Sequence, residues 1–207
     1  MVAVRMRIPS LLWPCLVLAV QAAAALHGPN ALAWEPDSAQ RARLLARQVI
    51  VEATVDSSGA AGRARAAIWI AAPREQVYAW LTDCGKALTY VPRLTACRIV
   101  EAAPDQSWKV IAHEIDYSWF LPRTRYVFRA SYQPPARVDF QEVSGDLVVN
   151  QGSWILNSDN DGRGTLLAYE VRVKPRMYVP FWLVRRSLRK DLPELLTALR
   201  RISETGR

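Results

Sequence analysis

Histidine is nearly absent: His27 and His113 are the only two among 207 residues. A histidine-rich metal site is thereby excluded. His27 falls in the N-terminal segment read below as a leader; its removal also excludes a two-histidine acid–base pair and leaves His113 as the one histidine a Ser-His-Asp triad could use. Cysteine is scarce too, at three (Cys15, Cys84 and Cys97), too few soft ligands for a zinc centre. No internal repeat, low-complexity tract or long linker follows the N-terminal segment. The uncharged apolar run from Leu11 to Ala25 is short for a bilayer span.

That run has the form of a signal peptide, with Arg5 and Arg7 as its basic flank. Two small-residue cleavage sites follow it, Ala23-Ala24-Ala25 and Ala31-Leu32-Ala33. The second is preferred because Gly28, Pro29 and Asn30 supply a polar region before it. Cys15 is no lipoprotein cysteine, since Trp13 and Pro14 before it are too bulky. The expectation is a leader over residues 1–33 and one exported, periplasmic domain over residues 34–207.

Cleavage lowers the formal charge from +8 to about +6. The excess sits in residues 172–207, which hold ten Lys/Arg against three acids, while the rest of the mature chain is close to neutral. Such a patch suits a membrane surface or an acidic partner, or is simply a solvated helix face. In an oxidising compartment Cys84 and Cys97 can form a disulfide or remain two buried thiols, and spacing alone leaves both open.

Residues 35–46 are rich in Ala and Arg and can form a short helix. Val49–Val55 and Ala64–Ile70 alternate with period two and form a hairpin about Asp56–Gly59. Pro73 opens a helix with Val77, Trp80 and Leu81 on one stripe, ending near Asp83. From Arg98 to Val173 period two dominates again, giving about five antiparallel strands with one apolar and one solvated face. Ile111, His113, Ile115, Tyr117 and Trp119 share a face opposite Glu114 and Asp116. Tyr126, Phe128, Trp154 and Tyr169 also point inward. Leu188, Leu192, Leu195, Leu199 and Ile202 form the buried stripe of a terminal helix from Pro180 to about Ser203, through Pro193, where one backbone donor is missing.

The order of these elements resembles the START-like helix-grip superfamily, in particular its coenzyme-Q-binding and polyketide-cyclase branch. The carrying residues are Ala72-Pro73-Arg74-Glu75-Gln76-Val77-Tyr78 with Leu81-Thr82-Asp83, and Tyr90-Val91-Pro92 with Leu94. They continue through Gly145-Asp146-Leu147, Gly152-Ser153-Trp154, Gly164-Thr165 with Tyr169, Val179-Pro180-Phe181 and Leu192-Pro193-Glu194-Leu195. The resemblance implies an α+β fold, a curved antiparallel sheet wrapped around a long C-terminal helix. It also implies a cavity between them for lipids, quinones or polyketides.

The residues expected to line that cavity are His113, Tyr117, Trp119, Tyr126, Phe128, Trp154, Tyr169, Leu188 and Leu192. His113 can equally be a core histidine satisfied by a tyrosine or backbone partner, or a catalytic base. With no inward pair of carboxylates, no catalytic residue, metal or cofactor is assigned. The expected function is non-catalytic binding or carriage of a hydrophobic ligand, lipid, quinone or isoprenoid-like; a cyclase/aromatase using the same cavity is the alternative. Aromatics next to arginines at Phe181, Trp182, Arg185 and Arg186 suit peripheral membrane contact. Nucleic acid is not an expected partner, since no recognised module is present.

Overall fold

The computed structural model describes residue 34 and residues 36–56, 61–117, 123–159, 162–176, 179 and 181–206. Residues 1–33, where a leader is expected, residues 57–60, Trp119, Tyr178, Pro180 and the side chain of Phe181 lie outside the described residues.

Asp37 starts α1 (Ser38–Leu45): its carboxylate accepts from the Gln40 N–H, and the Gln40 side chain accepts from the Asp37 N–H. This reciprocal cap satisfies two donors that a helix start otherwise leaves orphaned. β1 (Ile50–Val55) and β2 (Gly62–Ile70) then pair antiparallel, with Ile50 opposite Ala67. Pro73 precedes α2 (Arg74–Leu81), where its missing N–H costs nothing. The Asp83 carboxylate accepts from the N–H groups of Gly85 and Lys86 and starts α3 (Cys84–Tyr90).

Six strands follow: β3 (Leu94–Ala102), β4 (Trp108–Ile115), β5 (Thr124–Gln133), β6 (Arg137–Gly145), β7 (Leu147–Ser158) and β8 (Thr165–Pro175). About five were expected; the segment around Val138 and Phe140 is a full strand of nine residues rather than a short one. All eight strands form one antiparallel sheet in the order β1-β2-β8-β7-β6-β5-β4-β3. Gly145 reverses the chain between β6 and β7 at φ +127°, where a Cβ would stand 2.6 Å from the Tyr126 Cα.

The terminal helix α4 (Phe181–Thr205) runs through Pro193 and packs on β1, β2, α2 and α3. Leu188, Leu192, Leu196, Leu199 and Ile202 are buried in one cluster with Ala64, Ala66 and Ile68 of β2. The alanines matter: a small side chain on the strand lets the helix backbone approach, so the leucines fill the space between. Each fully buried leucine contributes roughly 1.5–3 kcal/mol by leaving water.

One expectation needs correction. The second face of the sheet is not solvated throughout, because at β1, β2 and β8 it is covered by α1. Leu44, Ile50 and Ala67 form a separate core there, with Trp34, Trp69 and Leu166 packed against it. Elsewhere the outer face is polar as expected: Glu114 holds Arg123 and Arg125, and Arg129 lies over Trp108 at 4.0 Å.

Candidate functional site

The inner face of β4 to β8 carries a row of rings because period two places every second residue there. His113 of β4 stands edge-on to Phe128 of β5 (4.9 Å between ring centres), and Phe128 stands edge-on to Phe140 of β6 at 6.2 Å. Phe140 stacks on Tyr169 of β8 at 6.0 Å, and Tyr169 stacks on Trp154 of β7 at 3.9 Å. Gly152 makes this row possible, since a Cβ at that position would meet the Phe140 ring at 2.8 Å.

Between this row and the helices lies a cavity of about 140 Å³. Leu81, Thr82, Asp83, Cys84, Ala87, Tyr90 and Val91 close it from the α2–α3 side, and Leu195 from α4. Cys84 and Cys97 are joined by a disulfide that ties the first residue of α3 to β3. Cys97 lies opposite His113 in the β3–β4 register, so the bridge is itself part of the cavity wall.

Of the residues expected to line the cavity, His113, Tyr126, Phe128, Trp154 and Tyr169 do so. Leu188 and Leu192 are buried in the helix–sheet core instead, and Leu195, on the same stripe, is the helix residue that reaches the cavity. Tyr117 lies beyond the end of β4 at Ile115 and is 36% exposed. Trp119 lies outside the described residues. Glu114 and Asp116 face outward in ion pairs with Arg123, as expected.

The polar side of the cavity is small. His113 Nδ1 and the Tyr126 hydroxyl are 3.2 Å apart, and burial pushes the His113 pKa down to about 4, so the ring is neutral at neutral pH. Burial raises the Tyr126, Tyr169 and Tyr90 hydroxyl pKa values, and Tyr132 is pushed up to about 12. Tyr90 donates to the Leu81 carbonyl at 2.9 Å. No Lys or Arg is among the described lining residues, and the one carboxylate, Asp83, is engaged in capping α3.

Glu142 was not anticipated. It continues the inward face of β6 after Val138 and Phe140, opposite Phe128. Both its carboxylate oxygens are out of water, and the side chain nearest to pairing with them is Asn150. Burial raises its pKa to about 7, partly offset by the Asn150 side chain and Arg176. Asn150 is itself buried and lines the cavity. The signal was present in the spacing 138, 140, 142, but a glutamate in a half-polar strand reads as solvated.

Glu142 and His113 act on stability in opposite directions. The folded pKa of Glu142 stands above the ordinary 4.5, so the fold takes up this proton first and gains stability as pH falls from about 7. His113 stands below the ordinary 6.5, so the unfolded chain protonates first and stability is lost as pH falls from 6.5 toward 4. We expect the Tm to rise between pH 8 and 6.5, and Glu142→Gln to flatten that rise in thermal scans. An unchanged slope in the variant would remove Glu142 as its source.

A ring-lined void gripped between a curved antiparallel sheet and a C-terminal helix defines the helix-grip class of ligand-binding folds. Residues 70–200 match the family described as polyketide cyclase / dehydrase and lipid transport, and the chain belongs to that family. Among solved structures it is similar to the STAR-related lipid transfer protein of Xanthomonas axonopodis (fragment 25–204). That match has a TM-score of 0.64 at 16% identity, over 75% of this chain and 93% of the other. Human STARD10 is similar at a TM-score of 0.62 and 13% identity, over 82% of this chain and 80% of the other. Zhui aromatase/cyclase from Streptomyces sp. R1128 is similar at 0.56 and 15%, over 77% and 97%. At these identities the likeness is one of fold, and it extends to lipid-transfer proteins and an aromatase/cyclase alike. No curated protein matches the sequence significantly.

Proposed function

We propose that this chain is an exported, non-catalytic carrier of a hydrophobic ligand with a ring-sized head, of the quinone or isoprenoid-phenol kind. The observation that carries this reading is the ring-lined cavity itself. Its volume, about 140 Å³, is close to that of an engineered void of about 150 Å³ that accepts benzene. A flat head fits between the rings without rearrangement; a long tail does not. A larger groove of about 620 Å³ between α3 and α4 shares Tyr90 and Val91 with the cavity and is the natural course for a tail. The chemistry favours binding, because a neutral His113 with a pKa of about 4 is a weak base at neutral pH.

Native mass spectrometry of the protein purified from its own envelope tests this. A co-purifying apolar ligand supports a carrier, and a chain that stays empty when offered lipid extract does not. The cyclase reading is favoured by the match to the family described as polyketide cyclase / dehydrase and lipid transport. Turnover of a poly-β-carbonyl thioester, abolished in His113→Ala or Glu142→Gln, would replace the carrier with an enzyme.

Export with a mature start at Trp34 rests on the leader pattern of the sequence, and Trp34 itself is anchored in the domain. The Trp34 backbone nitrogen donates to the Glu170 carboxylate at 2.9 Å, and its ring packs on the α1-side core. Cleavage after Ala33 would turn that amide into an ammonium and the hydrogen bond into an ion pair. Intact mass of the secreted protein is expected to begin at Trp34; a chain beginning at Leu26 would refute it.

Membrane contact is supported by the exposed side chains of Trp182, Arg185 and Arg186 at the start of α4. Vesicles containing anionic lipid should retain the protein at low salt and release it at high salt, whereas no retention at low salt would end the idea.

A further inference from the structure

The sheet ends on β3, whose free edge is paired by no other strand among the described residues. At the opposite end, α1 and α4 pack on β1. α3 and the Cys84–Cys97 bridge hold the first half of β3, but Arg98, Ile99, Val100, Glu101 and Ala102 are all exposed. Ile99 and Val100 are large apolar side chains that stand side by side at 49% and 62% exposure.

An open edge of this kind is a template for a further strand, and proteins commonly blunt it with charges or a bulge. β3 carries both: the charges are Arg98 and Glu101, and its register shifts between Ile99 and Glu101. Neither charge has an ion-pair partner among the described residues. They are opposite in sign and flank Ile99-Val100 symmetrically.

We propose that β3 pairs antiparallel with β3 of a second copy of this chain, about a twofold axis between Ile99 and Val100. In that register each Arg98 lies opposite Glu101 of the second copy, Ile99 lies opposite Val100, and Cys97 lies opposite Ala102. Directly opposed Cβ atoms stand about 4.5–5.5 Å apart, within reach of an ion pair. A twofold interface needs such a self-complementary surface. Moving the axis onto Ile99 sets Arg98 against Val100 and Glu101 against Cys97. Moving it onto Val100 sets Arg98 against Ala102 and Glu101 against Ile99. An unrelated apolar strand leaves both charges without a partner, so the residues that turn other chains away admit this one.

Sedimentation velocity of the purified, oxidised protein from about 10 to about 500 µM tests this. A contact of one short strand per copy is at the weak end of interfaces, so dimer is expected in the upper part of that range. Arg98→Glu and Glu101→Arg each set like charges against one another at two places across the axis. Each should weaken the dimer about 10-fold, the worth of two exposed pairs turned from attraction to repulsion. The double variant Arg98→Glu/Glu101→Arg restores opposite charges and should recover wild-type association. Both positions are exposed, and an unchanged Tm checks that each variant keeps its fold. Monomer at every concentration overturns the proposal. A dimer that neither single substitution weakens lies on another surface and overturns it too. Single losses that the double variant fails to recover overturn the register.

Discussion

Ala130→Phe is expected to abolish retention of an apolar ligand, weakening binding by 100-fold or more, while the protein stays folded. Ala130 is 2% exposed, faces inward between Phe128 and Tyr132 on β5, and lines the cavity. A phenyl ring built there occupies space that is empty in the fold, so the substitution fills a void rather than displacing packed atoms. Forcing extra atoms into a well-packed core typically costs 1–3 kcal/mol. Here the void absorbs most of the ring, and the change in stability should stay within about 1 kcal/mol. The loss of binding should be far larger, because a ligand head and the new ring cannot share about 140 Å³. A 100-fold loss corresponds to about 2.7 kcal/mol. The measurement is ligand retained per protein by native mass spectrometry, beside Tm by calorimetry. Should Ala130→Phe fail to fold, Ala87→Leu fills the same space from the α3 side with fewer atoms. Wild-type retention in a well-folded filled variant would place the ligand somewhere other than this cavity.

The legible part of this fold was the part set by periodicity on a single face. Leu188 to Ile202 recur at helical spacing, and the α4 helix follows from them. Inward alternation placed His113, Tyr126, Phe128, Trp154 and Tyr169 correctly, because in a regular strand parity alone decides the face. The misreadings occur where parity or the opposing surface changes. β3 begins at Leu94, four residues before the expected Arg98, and register shifts at Leu94/Ala96 and Ile99/Glu101 break its alternation. Tyr117 shares parity with Ile115, but the strand has ended and the Asp116 N–H bonds the Arg93 carbonyl instead.

A helical stripe shows which side is buried and not what it meets. Leu188 and Leu192 therefore looked like cavity residues when they meet the alanines of β2, and the cavity falls to Leu195. The run from Ala64 to Ile70 shows only that its residues alternate; α1 covers its other face, and no local pattern announces that docking. Glu142 is the sharpest case. Its parity points inward, its chemistry reads outward, and only the surrounding fold shows that parity prevails.

Removing the Cys84–Cys97 bridge is expected to cost about 3 kcal/mol of stability. The two residues are thirteen positions apart, and closing a loop of that size restricts the unfolded chain by that amount on the chain-entropy account. For a domain of this size the Tm should fall by about 6–12 °C in Cys84→Ser/Cys97→Ser, or in wild type treated with dithiothreitol. The bridge also holds α3 against β3, and that helix carries Ala87 and Tyr90 in the cavity wall. Loss of the bridge should therefore speed ligand release more than Ala substitutions of exposed α3 residues such as Leu88. The two effects separate by measurement: calorimetry reads the first, and the dissociation rate of 4-propylphenol at a temperature well below the lowered Tm reads the second. A Tm equal in oxidised and reduced protein would show that the bridge adds nothing to stability. Retained stability with slow release would show that α3 is held by Tyr90 and its core neighbours alone. A structural disulfide of this size persists in an oxidising compartment and is rare in a reducing one. A bridge formed in protein recovered from its own envelope would support export from a feature independent of the leader.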